Sequence, residues 1–261
     1  MSILDQACVP DRGPQIITIC GDAGMGKSSL AATFPKPIFI RAEDGVSRIP
    51  QAFRPHALPL VRIEESDGGH KVNIWDQLKA LIHEDHDYQT CVIDTVSALD
   101  RIFVSDILKQ DGRAKSVNQA LGGYGAGFSA LAAKHQQVRN AAEMLRARRG
   151  MHVLFLAHTE VDTVRPPDLD DYSRYSLRMT HQKSLPPYLD DVDAVGFLRQ
   201  RTVLKGDEGE RKKAIGSGDR ELVMHLTPAN VSKNAYGITD VLPVKLGENP
   251  LAEYITGANQ S

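Results

Sequence analysis

The chain has 261 residues, of which 41% are apolar and 25% charged, with a net charge of −2. That composition suits one sizeable globular domain, and its charge balance excludes a globally basic nucleic-acid binder, so any such surface has to be a local patch. No run approaches the ~20 apolar residues of a membrane helix, and the three cysteines (Cys8, Cys20, Cys91) form no C-x-x-C pair, which fits a reducing cytoplasm better than a disulfide scaffold.

Residues 1–14 are polar and read as a flexible lead-in, not a signal peptide. The β-branched run QIITIC (15–20) predicts a buried strand, and residues 27–34 a helix stopped by Pro35 and Pro37. IFIR (38–41) predicts a second strand and 42–45 a polar turn. Over 73–83 the apolar residues Ile74, Trp75, Leu78, Leu81 and Ile82 recur at helical spacing. Residues 91–93 predict a third strand that ends at Asp94, and 97–109 and 124–149 predict helices around a glycine-rich loop, 110–127. MHVLFLA (151–157) predicts a fourth buried strand. Residues 159–187 show little apolar periodicity and hold four prolines, which predicts a long irregular segment of the kind that is usually functional. Residues 194–204 and 221–226 predict strands around a charged tip, 205–220, and 241–244 a last strand before a polar tail. HEDHD (83–87) lacks a third ligand at a metal spacing and reads as a solvated turn.

Alternation of strand and helix in the first half predicts an α/β fold, a mostly parallel central sheet with helices on both faces; the later strands predict an antiparallel C-terminal extension. The expected organisation is a lead-in (1–14), a core (15–247) and a tail (248–261).

GDAGMGKSSL (21–30) matches the P-loop pattern G-x-x-x-x-G-K-S in full, between a predicted strand and a predicted helix. The backbone N–H groups of Gly21, Asp22, Ala23, Gly24, Met25, Gly26, Lys27, Ser28 and Ser29 are candidates to cradle the phosphates of ATP. Lys27 adds charge at the β and γ phosphates, and the Ser28 hydroxyl is a candidate ligand of Mg²⁺. Asp94, at the carboxyl end of a strand expected beside the P-loop strand, is a second candidate Mg²⁺ ligand; it or Thr95 also suits the N-cap of the next helix.

Three further stretches resemble the RecA family of P-loop ATPases: IFIRAEDG (38–45), CVIDTVSALD (91–100) and VLFLAHT (153–159). With the P-loop they have the order and spacing of a RecA core. The resemblance extends over 15–247 and is closest to the single-domain single-strand annealing recombinases of bacteriophages, which implies an ATPase of the host-cell cytoplasm. It implies that Glu43 polarises the attacking water, where the residue alone reads equally as a solvated turn glutamate. It implies that His158, in the place usually held by Gln, senses the γ-phosphate. A further stretch, NVSKNAYGI (230–238), is similar to the phage group. There Lys233 is the candidate cation that reaches a neighbouring subunit's nucleotide, or else a surface lysine; Ala235 stands where an arginine is expected.

The resemblance also implies self-association into a ring or filament, single-stranded DNA as ligand and a single-strand DNA-binding protein as partner. By position the DNA loops are 110–127, with Arg113, Lys115 and Tyr124, and 159–187, where Arg174, Tyr175, Arg178, His181 and Lys183 are the candidate DNA contacts. Asp168, Asp170, Asp171 and Asp191 dilute the second loop's charge, and Arg211, Lys212 and Lys213 form another basic candidate. Two rival functions stand beside the DNA-dependent ATPase: a nucleotide-gated DNA-binding or mediator protein with little hydrolysis, and a P-loop small-molecule kinase whose lid would be 174–183.

Overall fold

The computed structural model describes residues 3–8, 12–62, 66–67, 70–205 and 213–255. The five parallel core strands are β1 (Ile16–Cys20), β2 (Pro37–Arg41), β6 (Thr90–Asp94), β7 (His152–Ala157) and the start of β10 (Ala194–Lys205). A short parallel strand β3 (His56–Ala57) extends one edge, and the two-residue strands β4 (Ser66–Asp67) and β5 (His70–Lys71) pair apart from the sheet. On the other side β10 pairs antiparallel with β11 (Lys213–Val223) and with β12 (Lys233–Asn234), and β11 pairs with β13 (Leu242–Val244). This is the mixed α/β architecture expected, a mostly parallel sheet with an antiparallel C-terminal extension.

The strand order through the core is β10-β1-β7-β6-β2. β7 therefore lies between the P-loop strand β1 and the strand that ends in Asp94, which corrects the expectation that those two are neighbours. Local sequence does not encode strand order, and both β1 and β6 are fully buried runs that fit any interior place.

Along β1 the side chains alternate between two cores, as the pleat requires. Ile16 and Cys20 face a cluster with helices α2 (Ile74–His83), α3 (Val96–Gln110) and α4 (Ala126–Arg149). Ile17 and Ile19 face a cluster with α1 (Lys27–Ala31), Val46 and the C-terminal residues Leu251 and Ile255. The packed structure thus runs past residue 247 into the segment expected to be a tail. Burial pushes the Cys20 and Cys91 thiols up to about 12, so both are inert core residues. Trp75 of α2 stacks on Phe103 of α3, with ring centroids 5.6 Å apart and planes 3° from parallel.

Two loop expectations are corrected. Residues 159–187 are ordered: β8 (Thr159–Val164) and β9 (Tyr172–Leu177) form an antiparallel hairpin, and α5 (Pro186–Leu189) follows. Their burial alternates weakly, so a hydrophobic period could not reveal them. β11 begins at Lys213, so much of the expected tip 205–220 is strand; Arg211 and Lys212 lie outside the described residues. In the loop 110–127, Leu121 and Tyr124 take positive φ values of 56° and 51°.

A buried polar chain ties these layers together. Thr18 Oγ1 of β1 donates to the Tyr188 carbonyl (2.6 Å), and the Tyr188 hydroxyl meets His135 Nδ1 of α4 (2.8 Å). His135 Nε2 donates to Asp100 Oδ1 of α3 (3.0 Å), and Asp100 Oδ2 accepts from the Thr180 backbone N–H (2.9 Å) and hydroxyl. Burial raises the Asp100 pKa, but the bonds from His135 and Thr180 outweigh it and hold the carboxyl below its usual range.

Candidate nucleotide site

The P-loop leaves β1 at Gly21 and closes on α1. Gly24 and Gly26 sit at φ 80° and 91°, where an L side chain is strained. The loop borders a cavity of about 230 Å³ lined by Ala23, Gly24, Lys27, Ser28, Glu43, Asp44, Gly45, Arg48, Asp94, Thr95 and His158. Four separate stretches of sequence meet there. Of the expected cradle donors, the Gly21 N–H is bonded to the Ala157 carbonyl (3.2 Å) and the Met25 N–H to the Asp22 carbonyl (3.3 Å).

Lys27 is only 5% exposed. Its ammonium donates to the Gly21 carbonyl (2.8 Å) and the Asp22 carbonyl (3.0 Å), and lies 3.4 Å from His158 Nδ1. Burial lowers its pKa, and the Asp94 and Glu43 carboxylates act in the other direction. The three N–H bonds of Lys27 are folded onto its own loop and His158, and are the donors available to a bound phosphate.

His158 follows β7 and touches both walls of the cavity. Nδ1 can accept from Lys27 only if it carries no proton, so Nε2 is the protonated nitrogen and donates to Glu43 Oε1 (2.8 Å). The same Oε1 accepts from the Thr95 hydroxyl (2.9 Å), while Arg101 Nη2 lies 3.9 Å from Oε2. The His158 hydrogen bond is the largest influence on Glu43 and holds its pKa down against burial. Thr95 is also the N-cap of α3, its Oγ1 accepting from the Ala98 N–H (3.1 Å). The capping expectation thus falls to Thr95, leaving Asp94 for the cavity.

Asp94 accepts from the Ser28 hydroxyl (2.8 Å) although its strand is one removed from β1. Asp94 is 1% exposed, and burial pushes its pKa up to about 6, with the Ser28 bond acting against this. Next to the pair, a Cβ on Gly45 would lie 2.8 Å from Asp94 Oδ2 and 2.9 Å from Ser28 Oγ. The missing Cβ leaves room for an ion between a carboxylate and a hydroxyl, hard oxygen donors of the kind Mg²⁺ takes. The residues present fit that ion.

The structure thus gathers Lys27, Ser28, Glu43, Asp94 and His158 from the sequence expectation. Gly45, Thr95 and Arg48 were missed; Arg48 lines the cavity, and its guanidinium has no hydrogen bond or ion pair among the described residues. Lys233 is elsewhere: its Nζ donates to the Asp190 carbonyl (2.7 Å), and its strand pairs with the beginning of β10, away from the edge that carries the P-loop.

The hairpin β8–β9 is fastened to the site. Thr159 Oγ1 donates to Asp22 Oδ1 (2.5 Å), the Arg178 N–H donates to the His158 carbonyl (2.8 Å), and Arg178 Nη2 donates to the Thr159 carbonyl (2.9 Å). Two of the other expected DNA contacts stack on aromatic rings, while Arg174 leaves its buried Nε without a hydrogen-bond partner among the described residues. Arg174 is opposite Asp162 in the hairpin, Tyr175 stacks on Phe197 (5.0 Å) and His181 on Phe128 (4.2 Å). Lys183 is exposed, and Arg165 pairs with Asp171 (3.3 Å). Tyr124 is fully exposed on the other loop. Among the described residues no helix is long and apolar enough to cross a membrane.

Comparison with known proteins gives three findings. A family model described as "AAA domain" matches residues 13–236. A solved structure, described as the crystal structure of the RadB recombinase, superposes with a TM-score of 0.46 at 12% identity over 89% of this chain and 87% of that one. The search of curated proteins finds no match.

Proposed function

The chain belongs to the AAA domain family, and from that premise we propose that it is an ATP-hydrolysing recombination protein that binds single-stranded DNA and promotes annealing or strand exchange. One observation carries the reading: Lys27, Ser28, Asp94, Glu43 and His158, spread over more than a hundred residues, converge on one cavity. In the proposal Lys27 and the loop N–H groups hold the phosphates, while Ser28 and Asp94 hold Mg²⁺. Bound there, Mg²⁺ supplies positive charge to the phosphate oxygens. Glu43 orients water at the terminal phosphate, with Thr95 and His158 fixing its carboxylate.

His158 is proposed as the reporter of the terminal phosphate. A phosphate that draws Lys27 away takes from Nδ1 its donor, and the ring's other nitrogen holds Glu43. The chain continues from His158 directly into β8, so movement of the ring is felt by the hairpin that carries Arg174, Tyr175 and Arg178. Lys233 has no place in its own cavity, so a role for it at phosphate requires a neighbouring copy, in a ring or filament. Closeness to the phage annealing recombinases is part of this proposal and rests on the sequence resemblance.

A nucleotide-gated DNA-binding protein with little turnover is the second reading. It is favoured by Glu43 Oε1, which already accepts two hydrogen bonds, and by Ala235 where a cation is expected. ATP turnover with titrated oligonucleotides tests both. For the recombinase, single-stranded DNA raises turnover, Lys27→Ala abolishes nucleotide binding, and Glu43→Gln keeps binding but loses hydrolysis by about 10²-fold or more. Lys233→Ala loses turnover and regains it when mixed with Lys27→Ala. DNA that alters neither rate nor nucleotide affinity, together with no DNA binding, sinks the reading.

A further inference from the structure

Beyond Phe197, which is level with Cys20 at the end of β1, β10 runs on to Lys205 with β11 beside it. This ribbon rises above the sheet edge from which the P-loop springs. Arg220 of β11 is opposite Gln200, three residues past that level, roughly 10 Å along the strand. By the period of two it shares a face with Leu222. Leu222 packs in the cluster that holds Leu30 and Ala31 of α1, so the Arg220 side chain is directed at the start of α1.

It reaches it. A Cβ on Gly26 would overlap Arg220 Nη1 and lie 3.2 Å from Cζ. Gly26 is required by its φ of 91°, and the guanidinium lies where its Cβ would be. No hydrogen bond or ion pair holds the Arg220 guanidinium among the described residues, whereas nearby Arg199 is engaged by Glu221 at 2.7 Å. A forked cation is therefore parked, without an anion, on the loop that receives phosphates.

Its side of the loop decides what it meets. Glu43, Asp94 and His158 follow or end β2, β6 and β7, all on one side of β1. Arg220 comes from β11, on the other. With the terminal phosphate at Glu43 and His158, the rest of the nucleotide runs toward Arg220. We propose that Arg220 binds the α-phosphate of the nucleotide from within the same chain, by charge-assisted bonds of its fork. This rests on the nucleotide reading above.

The test is a binding titration of the full chain with ATP, ADP and inorganic tripolyphosphate, on wild type, Lys27→Ala, Arg220→Ala and Arg220→Lys. Loss of a charged hydrogen bond predicts that Arg220→Ala binds ATP and ADP more weakly by the same factor, about 10- to 100-fold. Tripolyphosphate weakens with them, because one of its phosphates occupies the α position. Arg220→Lys recovers part of the loss, and nucleotide-free melting is unchanged in both. Loss for ATP alone places the arginine at the γ-phosphate and overturns the inference. Loss for the nucleotides with tripolyphosphate intact places it at the nucleoside and overturns it too. If Lys27→Ala loses ATP while Arg220→Ala binds like wild type, this inference fails alone. If wild type binds none of the three, the nucleotide reading fails and takes the inference with it.

Discussion

Asp94 illustrates how one residue's surroundings set a pH dependence. Its carboxyl is pushed up to about 6 from the ordinary value near 3.8, so the folded, ion-free protein takes up this proton before the unfolded chain does. Stability from this group is therefore lower above pH 6 and is regained as pH falls from about 6 toward 4. Asp94→Asn should raise the melting free energy of the nucleotide-free protein at pH 7.5 by on the order of 2 kcal/mol. The gap should close below pH 4, and urea titrations at both pH values measure it. A gap that widens on acidification contradicts the assignment. With Mg²⁺ and ATP the order reverses, because the ion favours the charged carboxylate. At this scale the sequence was legible where a residue's role follows from its neighbours in the chain, as for Lys27, Ser28 and Asp94. It was silent on Gly45, Arg48 and Arg220, which matter through contacts between distant segments.

Among the elements, the buried strands β1, β6 and β7 were legible because both their faces are apolar, and α2 because its apolar residues recur at helical spacing. The hairpin β8–β9 was not, since TEVDTV and YSRYSL place polar residues on both faces. The sheet extension was legible in kind but not in length, because β11 starts in a charged, glycine-bearing stretch. The order of strands was legible nowhere, being fixed by packing between elements. Helices α3 and α4 are joined by a buried Asp100–His135 pair, and breaking it leaves a buried histidine without its acceptor. Asp100→Ala should cost about 3 kcal/mol or more, read as a loss of denaturation midpoint in urea. Because Asp100 is held below its usual range, its contribution is present at neutral pH and fades as acidification protonates it. The cost of Asp100→Ala should therefore shrink at low pH; a cost independent of pH would count against an ionised Asp100.

For the whole molecule, the sheet separates two chemistries. The cluster around α1 supports the cavity, and the cluster under α2, α3 and α4 holds the polar chain that runs from Thr18 of the P-loop strand to Thr180 beyond the hairpin. The stacked pair Trp75–Phe103 lies in the second cluster, and Trp75 is the chain's single tryptophan. Phe103 in turn meets the His135 ring edge-on at 5.1 Å. The protein therefore carries one indole fluorophore, and it is on the face of the sheet away from α1. Added nucleotide cannot quench that indole by touching it. A shift in its emission on ATP binding would have to be relayed through the sheet, so the spectrum reads transmission, where an affinity measurement reads only occupancy.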